Sequence, residues 1–443
     1  MSRTSPLHVG LITLLMIVLG SQFSLSQDAY VKNEKGRAKD IAKMVAADIQ
    51  KNFYDANLRG VDWSGLLQET LARIDKAQSV GEIYTSIYSM VSQLGDSHTR
   101  FFPPPRTGAL PLFGLEAKPY AEAVLVTKLK KGGAAEAAGI ELGDRIVAIN
   151  QFGAERNSFD TMMNYYRFLQ PANQLQIIVE RGGQPKTLIL RPKMTANENV
   201  VQQGGVGNAN SWDLDHEWPE EHFFHEADAD SIAYLGPANF EHDPDWMIGF
   251  AEHVGKPKAI IIDLRGNPGG RVDSLAAFVS HFVTEPGEIA QEVTRKKTEP
   301  TRAKPHRSSI AVPMAILVDS KSYSASEAFA KYFQLNRKAT IVGDHTRGFL
   351  TAAQFFVEKY GSTRVVPFWI QIAVGKVVFP GNEIVEGIGI TPDQLCLPTP
   401  QDLREEHDPC YAMAHNVLRK ALGLPEYAPA DLKKPALKLI RFG

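Results

Sequence analysis

Apolar residues fall at helical spacing in two stretches near the start of the chain. Ile41, Met44, Val45, Ala47 and Ile49 form one stripe, and Ile83, Ile87, Tyr88, Val91 and Leu94 form another. They predict a helical segment over residues 28–94. Gly95 follows at once as a helix stop, and the chain leaves through Asp96-Ser97-His98-Thr99. Prolines 103 to 105 bar a return to helix. Over 107–193 the pattern changes to short β-rich runs at 123–129, 145–149, 175–180 and 187–190. Between the first two lies Gly132-Gly133-Ala134-Ala135-Glu136-Ala137-Ala138-Gly139-Ile140-Glu141-Leu142-Gly143-Asp144. It reads as a small-residue helix, a glycine stop and a Gly-Asp turn into a strand. From 229 to 395 strands and helices alternate. Lys258–Leu264, Pro313–Asp319 and Ala339–Gly343 read as buried parallel strands, with helices from Val272 and over Ser324–Asn336. That alternation implies an α/β core with crossover helices.

The 443 residues exceed one ordinary core and imply two or three domains. An apolar fraction of 44% with 22% charged residues is that of globular protein. The net charge of −2 leaves no basic surplus to neutralise phosphates, so composition gives nucleic-acid binding no support. Arg3 and His8 precede an apolar run, Val9 to Gly20, and Ser24-Leu25-Ser26 offers small residues before Gln27. Residues 1–26 are therefore expected to be an export signal, the alternative being an uncleaved N-terminal anchor. No other stretch is long and apolar enough to span a bilayer. Cys396 and Cys410 form one short disulfide or stay as two thiols. Residues 196–228 are polar and read as a linker. His222 and His225 have a spacing that a metal can use, but no motif completes four ligands, so an acidic solvated loop is expected and no metal.

Two loops of the last block carry candidate chemistry. Asp263-Leu264-Arg265-Gly266-Asn267-Pro268-Gly269-Gly270 ends a buried strand in glycines, which let backbone N–H groups approach a ligand. A plain strand–helix turn is the simpler reading. Ser320-Lys321-Ser322-Tyr323-Ser324-Ala325-Ser326-Glu327 joins a strand to a helix. Ser324 with Glu327 fits a capping box; a nucleophile at a helix N-terminus needs the same geometry.

The Gly132–Ile146 stretch resembles the signature of PDZ domains, with Phe113, Gly114 and Leu115 at the place of the peptide-binding loop. The order helical segment, PDZ module, α/β block resembles the peptidase family of the tail-specific, C-terminal-processing proteases and the tricorn core. Asp263–Gly270, Ser324–Glu327 and Gly389-Ile390-Thr391-Pro392-Asp393 resemble its motifs, with Ser324 as nucleophile. The resemblance implies a multidomain α/β protein with a crotonase-like catalytic core. Boundaries are expected at 28–106 (helical), 107–195 (PDZ-like), 196–228 (linker), 229–395 (catalytic core) and 396–443 (C-terminal tail).

One departure is decisive. Ser-Lys members place a lysine base 25 residues after the nucleophile; here that position is Phe349, which cannot accept a proton. Lys321 and Lys331 do not match the motif. Tricorn-type members carry Ser-His after the helical segment, matched by Ser97-His98, and an orienting glutamate matched by Glu386. The resemblance thus implies Ser324, His98 and Glu386 as a catalytic set, with Gly269 or Gly270 and Ala325 as oxyanion donors. His345 is the rival base. The expected function is an exported serine endopeptidase, periplasmic or secreted. Its partners would be proteins or peptides with exposed C-terminal tails, with no cofactor, no nucleic acid, no stable membrane insertion and scope for a homo-oligomer. The alternative is a non-catalytic retinoid-, lipid- or peptide-binding protein of the same fold, in which Ser324 is a cap and Phe349 lines an apolar pocket. An acyl-CoA enzyme rests on fold analogy alone.

Overall fold

A computed structural model describes residues 30–104, 109–196, 221–361, 366–428, 432 and 434–440. The expected export signal and most of the expected linker lie outside the described residues. Among those described, no helix is long and apolar enough to cross a membrane. The described residues divide into two compact units, one holding 30–104 with 355–361 and 366–372 and the other the remainder.

In the smaller unit, helix α1 covers 30–52, α2 covers Trp63–Lys76 and α3 covers Val80–Ser92. The two predicted stripes pack except at Ala47: Ile41, Val45, Ile49, Ile83 and Ile87 are fully buried, whereas Ala47 is exposed. Asp62 and Ser79 cap α2 and α3 by accepting the N–H of Gly65 and Glu82. Strand Arg100–Phe102 follows α3 and pairs antiparallel with the first half of strand Val366–Val378, Arg100 facing Gln371. The sequence reading gave residues 355–372 to the catalytic block; they belong here because this strand pairing and the Phe101–Phe368 contact, with ring centroids 6.2 Å apart, are long-range.

In the larger unit, five antiparallel strands run in sequence order: β1 (Leu115–Tyr120), β2 (Ala123–Leu129), β3 (Arg145–Ile149), β4 (Leu175–Arg181) and β5 (Gln184–Leu190). Helix α4 (Ala134–Ala137) and α5 (Phe159–Asn164) pack on this sheet around Phe113, Val126, Ile146, Ile177 and Phe159. The predicted strands appear where the β-rich runs stand.

The α/β core is a seven-stranded sheet. It holds β6 (His222–His225), β7 (Ile232–Gly236), β8 (Ala259–Asp263), β9 (Met314–Val318), β10 (Ala339–Gly343), β11 (Gln394–Leu395) and β12 (Lys438–Ile440). Their spatial order is β11-β10-β9-β8-β7-β6-β12, parallel from β11 to β7 and antiparallel beyond. Every residue of β7, β8 and β9 is buried, as a strand covered on both faces requires. Helices α6 (Pro244–Glu252), α7 (Val272–His281) and α8 (Ala325–Leu335) cover one face around Phe240, Phe250, Phe278, Phe329 and Phe333. The other face takes Tyr411, Ala414 and Leu418 from a helix spanning Pro409–Ala421. The last segment, expected as a tail, is thus part of the core: Tyr411, Ala414 and Leu418 fall on one helical face, a stripe the sequence reading passed over. His222 and His225, expected in a loop, stand on β6. Three residues apart on a strand, they point to opposite faces and cannot share an ion. His222 is buried, its Nε2 lying 3.2 Å from His242 Nε2, and burial pushes its pKa down to about 3.

Cys396 and Cys410 form a disulfide with Cα atoms 5.5 Å apart, tying β11 to the C-terminal helix. Closing a loop of this length stabilises by about 3 kcal/mol. Replacing both cysteines by serine will lower the urea-unfolding free energy by about that much; an unchanged midpoint and slope would contradict it.

Candidate active site

Strand β9 ends at Val318, and the chain turns through Asp319–Tyr323 into α8. At the junction Ser324 has φ 60° and ψ −123°. A non-glycine residue held there costs about 1–3 kcal/mol and persists only where its surroundings over-determine it. Ser324 N–H donates to Phe349 O at 2.8 Å and to Glu327 Oε2 at 3.2 Å. The neighbouring serines are structural. Ser322 Oγ donates to Leu264 O at 2.7 Å and Ser326 Oγ to Asn267 O at 3.0 Å, both fully buried. Ser324 is only half-buried.

The glycine loop after β8 presses against this elbow. Asn267 is fully buried; its Nδ2 donates to Pro237 O at 2.7 Å and its Oδ1 accepts Gly269 N–H at 2.8 Å. Gly269 has φ 89°, and a Cβ there would stand 2.7 Å from Ser324 Cβ and Ala325 N. Gly270 has φ 145°, and a Cβ would stand 2.4 Å from the Phe240 carbonyl carbon. Only glycine fits at either place. Gly269 N–H is used inside the loop, whereas no such bond engages Gly270 N–H among the described residues. Asp319 ties the two loops together, its Oδ1 accepting Gly266 N–H at 2.9 Å.

A third segment, residues 346–350, hangs on Glu327. This fully buried carboxylate accepts the Thr346 hydroxyl at 2.5 Å, Gly348 N–H at 2.7 Å and Phe349 N–H at 3.0 Å, besides Ser324 N–H. Burial pushes its carboxyl up to about 7, against the pull of those four donors. Glu386 Oε2 accepts Leu350 N–H at 2.6 Å. Phe349 carries the Arg347 guanidinium over its ring at 4.5 Å, and the ring meets Tyr323 edge-on. Lys321 and Lys331 are ion-paired with Asp160 and Glu383.

Comparison with known proteins fits this geometry. The family model described as Peptidase family S41 matches residues 231–395, and that described as PDZ domain matches 111–191. The chain is a serine peptidase, and its residues 231–395 match family S41. It is 24% identical over 373 residues to "Carboxyl-terminal-processing peptidase 1, chloroplastic" of Arabidopsis thaliana, covering 79% of this chain and 69% of that protein. It is 24% identical over 363 residues to "Carboxyl-terminal-processing protease" of Synechocystis, covering 78% of each. The crystal structure of mature CPAF matches with a TM-score of 0.65 at 12% identity, over 91% of this chain and 100% of that one. The photosystem II D1 C-terminal processing protease matches with a TM-score of 0.51 at 18% identity, over 82% and 94%. At these identities the structures share the fold.

In this peptidase the PDZ domain grips the loops that follow β9 and β10. Lys118 on β1 reaches Asp319 at 3.2 Å, and Ser320 Oγ donates to Pro119 O at 2.6 Å. Asp344 accepts Ala121 N–H at 3.0 Å and pairs with Arg156 at 2.7 Å. Asp160, at the start of α5, pairs with both Lys321 and Arg347. A cavity of about 340 Å³ runs along the groove between β1 and α5, lined by Leu115, Ala117, Phe159, Met163, Tyr323 and Arg347 among others. Phe113, Gly114 and Leu115 enter β1 at its end, with Phe113 and Leu115 buried and Gly114 at φ 73°. Sequence reasoning missed Asp160, Arg156 and the reach of Glu327, whose only local signal was the capping-box spacing.

His98 belongs to the smaller unit. It follows Asp96, whose Oδ1 accepts His98 N–H at 3.0 Å, Thr99 N–H at 2.8 Å and the Thr99 hydroxyl at 2.8 Å. Its Nδ1 lies 2.7 Å from Ser97 Oγ, and the side chain is buried. His345, by contrast, is exposed, with Nδ1 3.5 Å from Thr391 Oγ1.

The raised carboxyl of Glu327 makes a stability prediction. A group whose folded pKa exceeds its ordinary value of 4.5 favours folding fully below that value, and the contribution is lost as pH rises through about 7. Between about pH 5 and about pH 8 the wild type will therefore lose unfolding free energy relative to Glu327→Gln. Parallel pH profiles in urea titrations would contradict the assignment.

Proposed function

We propose that this peptidase is an exported endopeptidase using Ser324, His98 and Glu386, the tricorn-like set, in place of a Ser-Lys dyad. The observation that carries the reading is the strained, half-exposed Ser324 against Gly269 and Gly270. Ser324 Oγ attacks the peptide carbonyl while His98 takes its proton. The oxyanion accepts the N–H groups of Gly270 and Ala325, Gly269 being engaged with Asn267. Collapse of the intermediate expels the amine, which receives the proton from His98. Water, deprotonated by the same base, then releases the acyl group. Glu386 orients and stabilises the imidazolium. Phe349 at the lysine position and the exposure of His345 both favour His98.

Tail recognition is the role we assign to the PDZ groove, which sets Leu115, Ala117, Phe159 and Met163 beside the cations Lys128, Arg167 and Arg347 and opens beside Tyr323. A substrate tail would add as a strand along β1. Export accords with the apolar N-terminal run and with the Cys396–Cys410 disulfide, which an oxidising compartment preserves.

The ranking of variants tests the chemistry. Ser324→Ala will abolish cleavage of an unfolded protein while the fold is kept, and Ser322→Ala and Ser326→Ala will retain activity. His98→Ala will lower kcat by about 10⁴-fold with little change in KM, far more than His345→Ala. The reverse order of the two histidines would make His345 the base. An imidazole base works only when neutral, so activity will fall toward acid pH.

Tail docking calls for a point change, because deleting the domain would also remove Asp160 from Lys321 and Arg347. Met163→Glu places a charge in the groove. It will raise KM for substrates with apolar C-terminal tails by about 10-fold or more, the cost of desolvating the new carboxylate under an apolar tail, and leave short tailless peptides unaffected. Equal effects on both substrates would refute the docking role.

A further inference from the structure

We infer that Glu327 is a positioning residue whose single carboxylate fixes the nucleophile elbow and the Glu386 loop relative to each other. The inference rests on the reading of Ser324 as nucleophile and Glu386 as the orienting carboxylate. Glu327 lies at the third position of α8 and takes four donors from two segments. Oε2 accepts Ser324 N–H and Phe349 N–H; Oε1 accepts Gly348 N–H and the Thr346 hydroxyl. Thr346 Oγ1 in turn accepts Ile390 N–H at 2.7 Å, and Gly348 O accepts Gly387 N–H at 2.7 Å. The next residue along, Leu350, donates its N–H to Glu386. A continuous chain of hydrogen bonds therefore runs from the Ser324 backbone through Glu327 and residues 346–350 to the 386–390 turn.

The geometry calls for the ionised carboxylate, the form that gains ground as pH rises through about 7. Four donors converge on one side chain with no exposure to water, and only a carboxylate offers four acceptor sites with no donor of its own. A glutamine keeps one accepting oxygen and turns an NH₂ group toward two N–H or O–H donors. Buried donors left facing a donor force the segments apart. The close packing around Gly348 leaves no slack on the far side: a Cβ there would meet Gly389 N at 2.7 Å and Ile388 N at 2.9 Å. A shift at Glu327 is thus passed to the Glu386 turn. A capping box alone would need only the Ser324 bond; the three bonds to 346–349 are what cap geometry does not explain.

The test separates positioning from folding. Glu327→Gln, Thr346→Val and Thr346→Ser are compared on a short peptide, with Ser324→Ala as reference. Thr346→Val removes the hydroxyl that joins Glu327 to Ile390, and Thr346→Ser restores it. Glu327→Gln and Thr346→Val will lower kcat by about 10- to 100-fold, the scale of a misplaced reacting group, with KM within about twofold. Thr346→Ser will recover most of the rate. Wild-type kcat in Thr346→Val, or Thr346→Ser as slow as Thr346→Val, would overturn the inference, even if Glu327→Gln failed to fold. Full activity in Ser324→Ala would overturn the nucleophile assignment and this inference with it; an inactive Ser324→Ala beside a fully active Thr346→Val would overturn this inference alone.

Discussion

The strained backbone of Ser324 is the constraint around which the catalytic block is arranged. A positive φ at a non-glycine residue is unstable on its own and has to be imposed. Three neighbours impose it. Phe349 O and Glu327 Oε2 hold the Ser324 N–H, and Gly269 packs where any side chain would collide with Ser324 Cβ. The strain turns the serine outward at the head of α8, where the helix N-terminus and the glycine loop present N–H groups. Ser322 and Ser326, two residues to either side, sit in unstrained buried positions and spend their hydroxyls on backbone carbonyls.

Charge burial follows from the same demand. Glu327 loses its hydration entirely, and four donors offset that loss only in part, which is why its carboxyl is held up near 7. The PDZ–core seam repeats the device at lower burial. Asp160, Asp319 and Asp344 each join a PDZ element to a loop after β9 or β10 through lysine, arginine or backbone N–H. Buried ion pairs are weak sources of stability but strict about geometry. Here they set the register of the loops that carry Ser324 and residues 346–350.

Much of this was legible in the sequence because it is local. The β-rich runs at 123–129 and 145–149 became strands, and Gly269 and Gly270 marked a close backbone approach. The motifs at 263–270, 324–327 and 389–393 carried the family resemblance, and with it the serine nucleophile. What stayed hidden depends on contacts between distant residues. The Ser324–Glu327 spacing reads as a helix cap whether or not a third segment hangs on the glutamate. Asp160 is one more acidic residue at a helix start until Lys321 and Arg347 fold onto it. Residues 355–372 join the helical unit only through pairing with Arg100–Phe102, which no local pattern encodes. The helix over Pro409–Ala421 was overlooked although its stripe is regular, because the family-like motifs end before it.

Active-site labelling tests the central claim most directly. The wild-type protein is treated with a fluorophosphonate at neutral pH, digested, and the adduct located by mass spectrometry. The account predicts one adduct, on Ser324, formed in proportion to loss of peptidase activity. An adduct on another serine, or full inactivation with Ser324 unmodified, would contradict it.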